Sequence, residues 1–534
     1  MTDIILKGYY PQTWKHARVV AILKPGKKAT EPSSYRAISL LCCLYKLLER
    51  LILTRITPYI DSAIPVQQAG FRSRRDTTEQ VLALTSHIEA GFEKKLKTGA
   101  VLIDLSAAYD TVWTGGLMLK LAKIIPCKKI LNILSLMTGT RQFHVVLGGQ
   151  KSKSRKIKNG VPQGSVIAPS LFNIYISDMP DTKSNKLGYA DDWALTYQST
   201  KWAEIEETLS ADTTTLKEYF DVWYLKMNTT KSVTTAFHLN NHDANRTLKI
   251  NVHGSTLPSE MNPKYLGVTL DKRLTYRKHL EGCANKIAKR NCILSKLART
   301  TWGASQTVLR TSTIALCNSV AEYCAPVWTR SSHTQLIDIK LRESMRKIGG
   351  CLKSTPTQWL PVISSIAPPH IRREEANQKM IMKIEDMPDN IPLKQIFNSA
   401  PITSRLKSRK PFYKSKLEGF SANDKWREEW EENTPNGGDL IDDPVEPLPG
   451  FKTMQRKYWV TTNRLRTRHA RTAYTLHKWN IRESPICQRC GGGPETTEHI
   501  VLQCPLTKLE GGFSTVHEAD DKLVSWIDKL NLEV

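Results

Sequence analysis

Leu187-Gly188-Tyr189-Ala190-Asp191-Asp192-Trp193-Ala194-Leu195 sets two adjacent carboxylates between short apolar runs that read as the arms of a β-hairpin. A carboxylate removed from water without a partner costs several kcal/mol. A divalent cation relieves that cost, and hard oxygen donors select Mg²⁺ or Mn²⁺. Taken alone, the Asp-Asp pair reads as a solvated turn rather than a metal site, so its meaning depends on its neighbours in the chain.

Upstream, Ala100-Val101-Leu102-Ile103 is a fully apolar run expected to form a buried strand. Asp104 closes it, which places a third carboxylate at a strand end. A helix is expected to begin near Asp110, with that residue as its N-cap. Between Asp104 and the hairpin, a basic ribbon (Lys151, Lys153, Arg155, Lys156, Lys158) leads into Asn159-Gly160-Val161-Pro162-Gln163-Gly164-Ser165. The glycines let backbone approach a ligand, and the helix that follows offers its N-terminus to an anion. Downstream, residues 203–220 read as a helix, Asn228 as a turn residue, and Lys231 as a proton donor or phosphate contact. Tyr265-Leu266-Gly267 reads as a strand and turn with Gly267 at the bend.

Nearer the N-terminus, residues 14–23 read as a strand closed by Lys24-Pro25-Gly26-Lys27. Arg36, ahead of a helix with apolar Leu44, Leu47, Leu48, Leu51 and Ile52, is either a phosphate contact or a surface charge. Phe71-Arg72-Ser73-Arg74-Arg75 is a second basic loop, with Thr77 or Thr78 expected to cap the next helix. Three guanidiniums so close repel unless an anion lies among them, and their forks match phosphate.

A chain of 534 residues suggests about three domains. The formal charge of +26 makes nucleic acid the expected partner, ahead of a membrane surface. No apolar run approaches the ~18 residues that would span a bilayer. The first residues lack the layout of a signal peptide, so the expected setting is intracellular, nuclear or cytoplasmic, and not secreted. Most of the eleven cysteines (Cys42, Cys43, Cys283, Cys292 and Cys317 among them) lie singly in apolar contexts, which suits buried thiols in a reducing compartment.

Leu280, Cys283, Ala284, Ile287, Leu294 and Leu297 mark a long amphipathic helix with Lys286, Lys289, Arg290 and Lys296 on its polar side. The pattern stays helical to about residue 383. A basic stretch (Arg405, Lys407, Arg409, Lys410, Lys414, Lys416) then gives way to an acidic one containing Pro and Gly, the clearest boundary in the chain. At the C-terminal end, Cys487, Cys490, His499 and Cys504 form a C-x2-C-x8-H-x4-C pattern. Three thiolates and one imidazole are the donors of a closed tetrahedral Zn²⁺ site, structural because no position is left for water. Arg464, Arg466, Arg468 and Arg471 lie nearby and are expected to grip nucleic acid.

Asp104, Asp191 and Asp192 can share a site only with cations, since two unit charges about 4 Å apart repel by roughly 4 kcal/mol at an effective dielectric of about 20. Two divalent ions bridging them make the clamp used for in-line nucleotidyl transfer. The ordered set Leu102-Ile103-Asp104, Gly160-Val161-Pro162-Gln163-Gly164-Ser165, Tyr189-Ala190-Asp191-Asp192, Trp223, Leu225, Asn228 and Lys231, and Tyr265-Leu266-Gly267 resembles the reverse transcriptases of non-LTR retrotransposons. Pro32-Ser33-Ser34-Tyr35-Arg36, the Phe71-Arg72 loop and the CCHC cluster point to the jockey-like side of that group.

The resemblance implies an α+β right-hand polymerase of fingers, palm and thumb with an antiparallel palm sheet, a helical region and a small zinc module. It implies partial fingers and palm over 1–270, a helical thumb and connection over 271–385, a charged linker over 386–450 and a basic CCHC domain over 451–534. It makes Asp104, Asp191 and Asp192 the ligands of two Mg²⁺ or Mn²⁺ ions. Tyr109 becomes the aromatic gate against a 2′-hydroxyl, with Gln163 and Gly164 beside the incoming nucleotide. Arg36 and Arg72 fall in the fingers, Lys231 follows the hairpin, and Tyr265, Leu266 and Gly267 form the primer grip. The implied partners are an RNA template, a DNA primer or target, and dNTPs. This chain has Ala37 where the family has Pro. Such elements begin with an apurinic-type endonuclease, whereas this chain starts inside the fingers. A truncated polymerase is therefore expected, with an endonuclease supplied in trans.

Two other readings compete. Asp104 with Asp110 imitates the spaced aspartates of RNA-dependent RNA polymerases, but Tyr109 at the gate and Ala190 in the hairpin favour deoxynucleotides. A catalytically impaired relic that only binds nucleic acid is the other.

Overall fold

The computed structural model describes residues 4, 7–240, 243, 245–300, 302–399, 405–406, 410–415 and 419–531. Lys407, Arg409 and Lys416 of the basic stretch lie outside them. The chain forms two compact units, one of residues 1–274 with 387–414 and one of residues 275–386 with 415–534.

The first unit is built on a four-stranded antiparallel sheet in the order Val233–Phe237, Lys97–Ile103, Asp192–Ser199, Asn185–Tyr189. The central strand Lys97–Ile103 is buried from Thr98 onward, which explains its unbroken apolar run. Helices Thr77–Glu93 and Trp202–Val222 pack against this sheet. A second sheet joins Tyr35–Leu40, His16–Leu23 and Arg141–Leu147, with His16–Leu23 antiparallel to the first and parallel to the last. The apolar core joins Val101, Ile103, Trp193, Leu195 and Ala236 of the four-stranded sheet to the buried face of helix Cys43–Ala63.

Several local expectations change. Helix Cys43–Ala63 buries Tyr45, Leu48, Ile52, Ile56 and Ile60, so the stripe starts one residue later than expected and Leu44 and Leu47 face outward. Asp76, not Thr77 or Thr78, caps Thr77–Glu93 by accepting from the Glu79 N–H at 2.9 Å. Asp110 lies inside the short helix Ala108–Thr111, which starts after Ala107 at φ 49°, and caps nothing. Among the expected buried thiols, Cys283 and Cys317 are buried but Cys42, Cys43 and Cys292 are exposed.

The second unit is helical around a core that joins Trp359, Ile363 and Ile371 to Trp426, Trp430, Trp459, Ile500 and Phe513. Helix Arg277–Leu297 buries Leu280, Cys283, Ala284, Ile287 and Leu294 but leaves Leu297 exposed. Arg290 leaves the basic face and donates to the Leu316 carbonyl. The stretch 386–450 is not a free linker. Helix Pro392–Asn398 packs on Thr77–Glu93 in the first unit, and helix Ala422–Glu432 buries Trp426 and Trp430 in the second. Two tryptophans at i and i+4 on one helix face outweigh the charges around them. No helix of the described residues is long and apolar enough to cross a membrane.

Candidate active site and zinc centre

Strand pairing brings the three aspartates together. Ile103 pairs with Trp193, so Asp104 and Asp192 emerge opposite each other where the two strands end. Tyr189 pairs with Asp192, leaving Ala190 and Asp191 as a two-residue turn with Ala190 at φ 59°. Asp104 is held by its backbone: its N–H donates to Ser232 Oγ at 3.0 Å and its carbonyl accepts from the Asn228 N–H at 2.8 Å.

The electrostatics show a site short of positive charge. Burial, then Asp191, then Asp104, push the Asp192 carboxyl up to about 6. Burial raises Asp191 too, with Asp104 adding to it against a backbone hydrogen bond. Among the described residues no cation offsets either one. Three mutually repelling carboxylates form a hard oxygen donor set that fits Mg²⁺ or Mn²⁺. A pH dependence follows from the direction of the Asp192 shift. A carboxyl raised from 3.8 to about 6 in the folded chain favours folding below 3.8, and that contribution is lost as pH rises through about 6. Asp192→Asn should therefore stabilise the metal-free chain at pH 7 and not at pH 3.5, by less than about 1 kcal/mol because Asp192, though its carboxylate is crowded by neighbouring atoms, still exposes surface to screening solvent. Denaturant titration at the two pH values measures this; equal effects at both would remove the argument.

Tyr109 stacks on Phe172 at 5.0 Å and meets the edge of Phe71 at 6.4 Å, so its ring is fixed. Its hydroxyl is buried without a hydrogen-bond partner among the described residues, and burial with Asp191 nearby raises it. The Gln163 carbonyl accepts from the Ser39 N–H at 2.7 Å, tying the loop to strand Tyr35–Leu40, and Gly164 lies against the Ser39 carbonyl. The helix start beyond this loop does not await a ligand anion. Glu49, fully buried, takes the Ser165 hydroxyl and the Val166 N–H (2.8 Å) on its carboxylate. No sequence pattern flagged Glu49, because its partners lie more than a hundred residues away.

Arg36 is exposed on its strand. Arg72 instead turns inward, donating to the carbonyls of Pro65 at 3.2 Å, Ile64 at 3.4 Å and Asp61 at 3.3 Å. Arg75 pairs with Glu79 and donates to the Val66 carbonyl at 3.2 Å. Carbonyl dipoles and one carboxylate meet the Arg72 and Arg75 guanidiniums, and Arg74 is exposed. Lys231 is exposed in a turn that Asn228 Oδ1 closes, as expected of that asparagine, and the same Asn228 binds the Asp104 carbonyl. Tyr265 and Val268 flank a two-residue turn with Leu266 at φ 42° and Gly267 at φ 88°. Tyr265 is buried, and Asp192 adds to the burial that raises its phenol.

In the second unit, the donor atoms of Cys487, Cys490, His499 and Cys504 all lie within 4.8 Å of one another. Cys487 and Cys504 are buried, and the Gly491 N–H donates to the Cys487 carbonyl at 2.8 Å in the turn between the first two ligands. Burial raises Cys487. Burial also works upward on Cys504, but hydrogen bonds from Thr507 and the backbone at Leu506 prevail and bring it down to about 6. A thiol so lowered is ready to be a thiolate ligand, and the four donors fit a closed Zn²⁺ site. Two of the neighbouring arginines, Arg464 and Arg466, take no part in the expected grip. Arg464 donates to the Gly350 carbonyl at 3.0 Å; Arg466, fully buried, donates to the carbonyls of Pro449 and His517 at 2.8 and 2.9 Å. Arg468 lies over the Phe513 ring, and only Arg471 of the four is exposed. Helix Arg456–Arg466 is buried over most of its length, so its cations serve the core.

Residues 22–270 match the family described as reverse transcriptase (RNA-dependent DNA polymerase), and residues 448–509 match zinc-binding in reverse transcriptase. The first unit therefore carries the reverse-transcriptase match, and Cys487, Cys490, His499 and Cys504 of the second unit fall within the zinc-binding match. More particularly, the chain is similar to RNA-directed DNA polymerases of Drosophila mobile elements. It is 35% identical over 369 residues to the probable RNA-directed DNA polymerase from transposon BS of Drosophila melanogaster, covering 65% of this chain and 40% of that protein. It is 32% identical over 370 residues to the RNA-directed DNA polymerase from mobile element jockey of Drosophila melanogaster, covering 64% and 38%. With the 115 kDa protein in type-1 retrotransposable element R1DM of Drosophila melanogaster it shares 24% identity over 515 residues, 93% of this chain and 48% of that one. The chain thus spans less than half the length of each of these relatives.

Proposed function

We propose that this chain is an RNA-directed DNA polymerase that adds dNTPs to a primer 3′-hydroxyl on an RNA template. The observation that carries this is the cluster of Asp104, Asp191 and Asp192 at one strand end, with no cation among the described residues to offset it. These three carboxylates hold the two divalent ions. When bound, the ions supply the positive charge that an attacking 3′ oxygen and a departing pyrophosphate require. The chain does the rest by position. Tyr109, fixed between Phe172 and Phe71, occupies the place of the ribose gate. The Gln163-Gly164 loop, tied to Ser39, borders the nucleotide. Arg36 and Lys231 are exposed cations available to the triphosphate, whereas Arg72 holds its own loop and is not assigned to the nucleotide. Tyr265, Leu266 and Gly267 form the primer grip.

Within this reading, residues 1–270 supply fingers and palm and 271–385 the thumb. The working particle is an intracellular ribonucleoprotein, nuclear or cytoplasmic, that acts on a DNA target.

Primer extension on an RNA template with Mg²⁺ tests the proposal. Extension with dNTPs and little with rNTPs is expected. Equal use, or preference for rNTPs, would favour an RNA-dependent RNA polymerase; no extension by the intact chain would favour a relic that only binds. Tyr109→Ala should raise rNTP incorporation relative to dNTP by about tenfold or more, since removing the ring removes the steric penalty on the 2′-hydroxyl. An unchanged ratio would take the gate role from Tyr109.

A further inference from the structure

We propose that Gln68 is a positioning residue for the metal-binding turn, acting through the backbone of Ala190; this rests on Asp104, Asp191 and Asp192 being a cation site. Gln68 is 1% exposed and spends both ends of its amide on this turn. Its Oε1 accepts from the Ala190 N–H and the Gly70 N–H, each at 2.8 Å, and its Nε2 donates to the Ala190 carbonyl at 3.0 Å. Ala190 is the residue immediately before Asp191, and it holds a positive φ of 59° that an L-residue adopts only when its surroundings impose it. Binding its N–H and its C=O through one rigid side chain is such an imposition.

The segment that carries Gln68 runs beside the hairpin as a short rail. Gln68 bridges Gly188 in parallel, the Ala69 N–H donates to the Gly188 carbonyl at 2.9 Å, and the Gly188 N–H donates to the Gln67 carbonyl at 3.0 Å. Gly70 lets the rail approach this closely, because a Cβ there would lie 2.2 Å from the Ala190 nitrogen. Other elements pin the rail in turn: Gln80 donates to the Gln67 carbonyl at 3.0 Å and Asn173 to the Gly70 carbonyl at 2.8 Å. Only an uncharged amide gives an acceptor with two lone pairs and a donor at the same end of the side chain. Glutamate would face the Ala190 carbonyl with negative charge, and asparagine falls one methylene short.

The rail therefore fixes the turn from which Asp191 and Asp192 project. Side chains that orient ligands from outside the metal's own shell change metal affinity by about 10–100-fold when removed. The test is Mn²⁺ binding to the full zinc-loaded chain, read from the electron paramagnetic resonance of free Mn²⁺, with kcat and dNTP KM measured alongside. Gln68→Leu should weaken Mn²⁺ binding by about tenfold or more and lower kcat with little change in KM. Leu82→Ala, which empties a buried site on helix Thr77–Glu93, should lower the melting temperature without moving Mn²⁺ affinity. Gln68→Asn should fall between Gln68→Leu and the wild type, and it serves if the leucine variant does not fold. A folded Gln68 variant with wild-type Mn²⁺ affinity would overturn the proposal. Equal weakening by Leu82→Ala would reduce Gln68 to a general stability role and overturn it as well. Failure of the wild type itself to bind Mn²⁺ more tightly than Asp192→Asn would bring down the metal-site reading first, so the two failures are distinct.

Discussion

Asp191→Asn is expected to abolish primer extension while RNA binding survives. The substitution keeps the volume and the turn but removes one of the three charges proposed to hold the cations. The interaction it deletes is worth several kcal/mol of charge stabilisation in the transition state. At about 1.4 kcal/mol per tenfold, that is a loss of roughly a thousandfold or more in single-turnover rate. RNA binding draws on a formal charge of +26 spread over the whole chain, which a change of one unit hardly alters. Its affinity should keep the same steep fall with salt, since counterion release from phosphates drives it. Rapid-quench extension and RNA titration at two salt concentrations measure the two properties together. Extension within tenfold of wild type would remove Asp191 from the chemistry. Loss of both properties in a chain that no longer melts cooperatively would mean that the turn had lost its fold.

Removing zinc should have the second large effect, on the stability of the second unit rather than on the chemistry. Binding at a four-ligand Cys/His site contributes on the order of 10 kcal/mol to the fold that forms it. In this chain Ile500 and Val501 lie between ligands His499 and Cys504 and belong to the same core as Trp359, Trp430 and Trp459. The site therefore anchors a large core, and its loss is not confined to a local knuckle. Cys504→Ser should abolish stoichiometric zinc and lower the melting midpoint of the second unit by about 10 °C or more. Cys317→Ser, a buried thiol outside the cluster, should retain zinc. Calorimetry with metal analysis on the full chain gives both readouts. Full zinc content or an unmoved transition in the Cys504 variant would contradict this role.

Much of the site could be read in the sequence because it rests on short, contiguous patterns. A fully apolar run ending in Asp104 reads as a buried strand, and an Asp-Asp pair between apolar arms reads as a hairpin. Both readings hold because burial on two faces and alternation at a turn leave a local signature. The zinc ligands were legible for the same reason, since four donors within eighteen residues carry their spacing in the chain itself. The helix caps and the arginines were less legible. Asp76 and Thr77 are both able caps, and only the backbone geometry selects Asp76. Arg72, Arg464 and Arg466 looked like phosphate ligands because a sequence shows charge but not the carbonyls a guanidinium will meet.

The sequence alone therefore determined which atoms are the candidates for the chemistry: three carboxylates at or beside strand ends, and four Cys and His donors at the spacing of a zinc site. The tertiary structure decided which charges are free to act and what holds the acting ones still. Glu49 fills a helix start that a ligand anion was expected to use, and Gln68 grips the turn beside Asp191, each across more than a hundred residues of chain. Such partners leave no periodic trace, because a hydrogen bond between distant segments is set by how the sheets and helices pack rather than by local sequence.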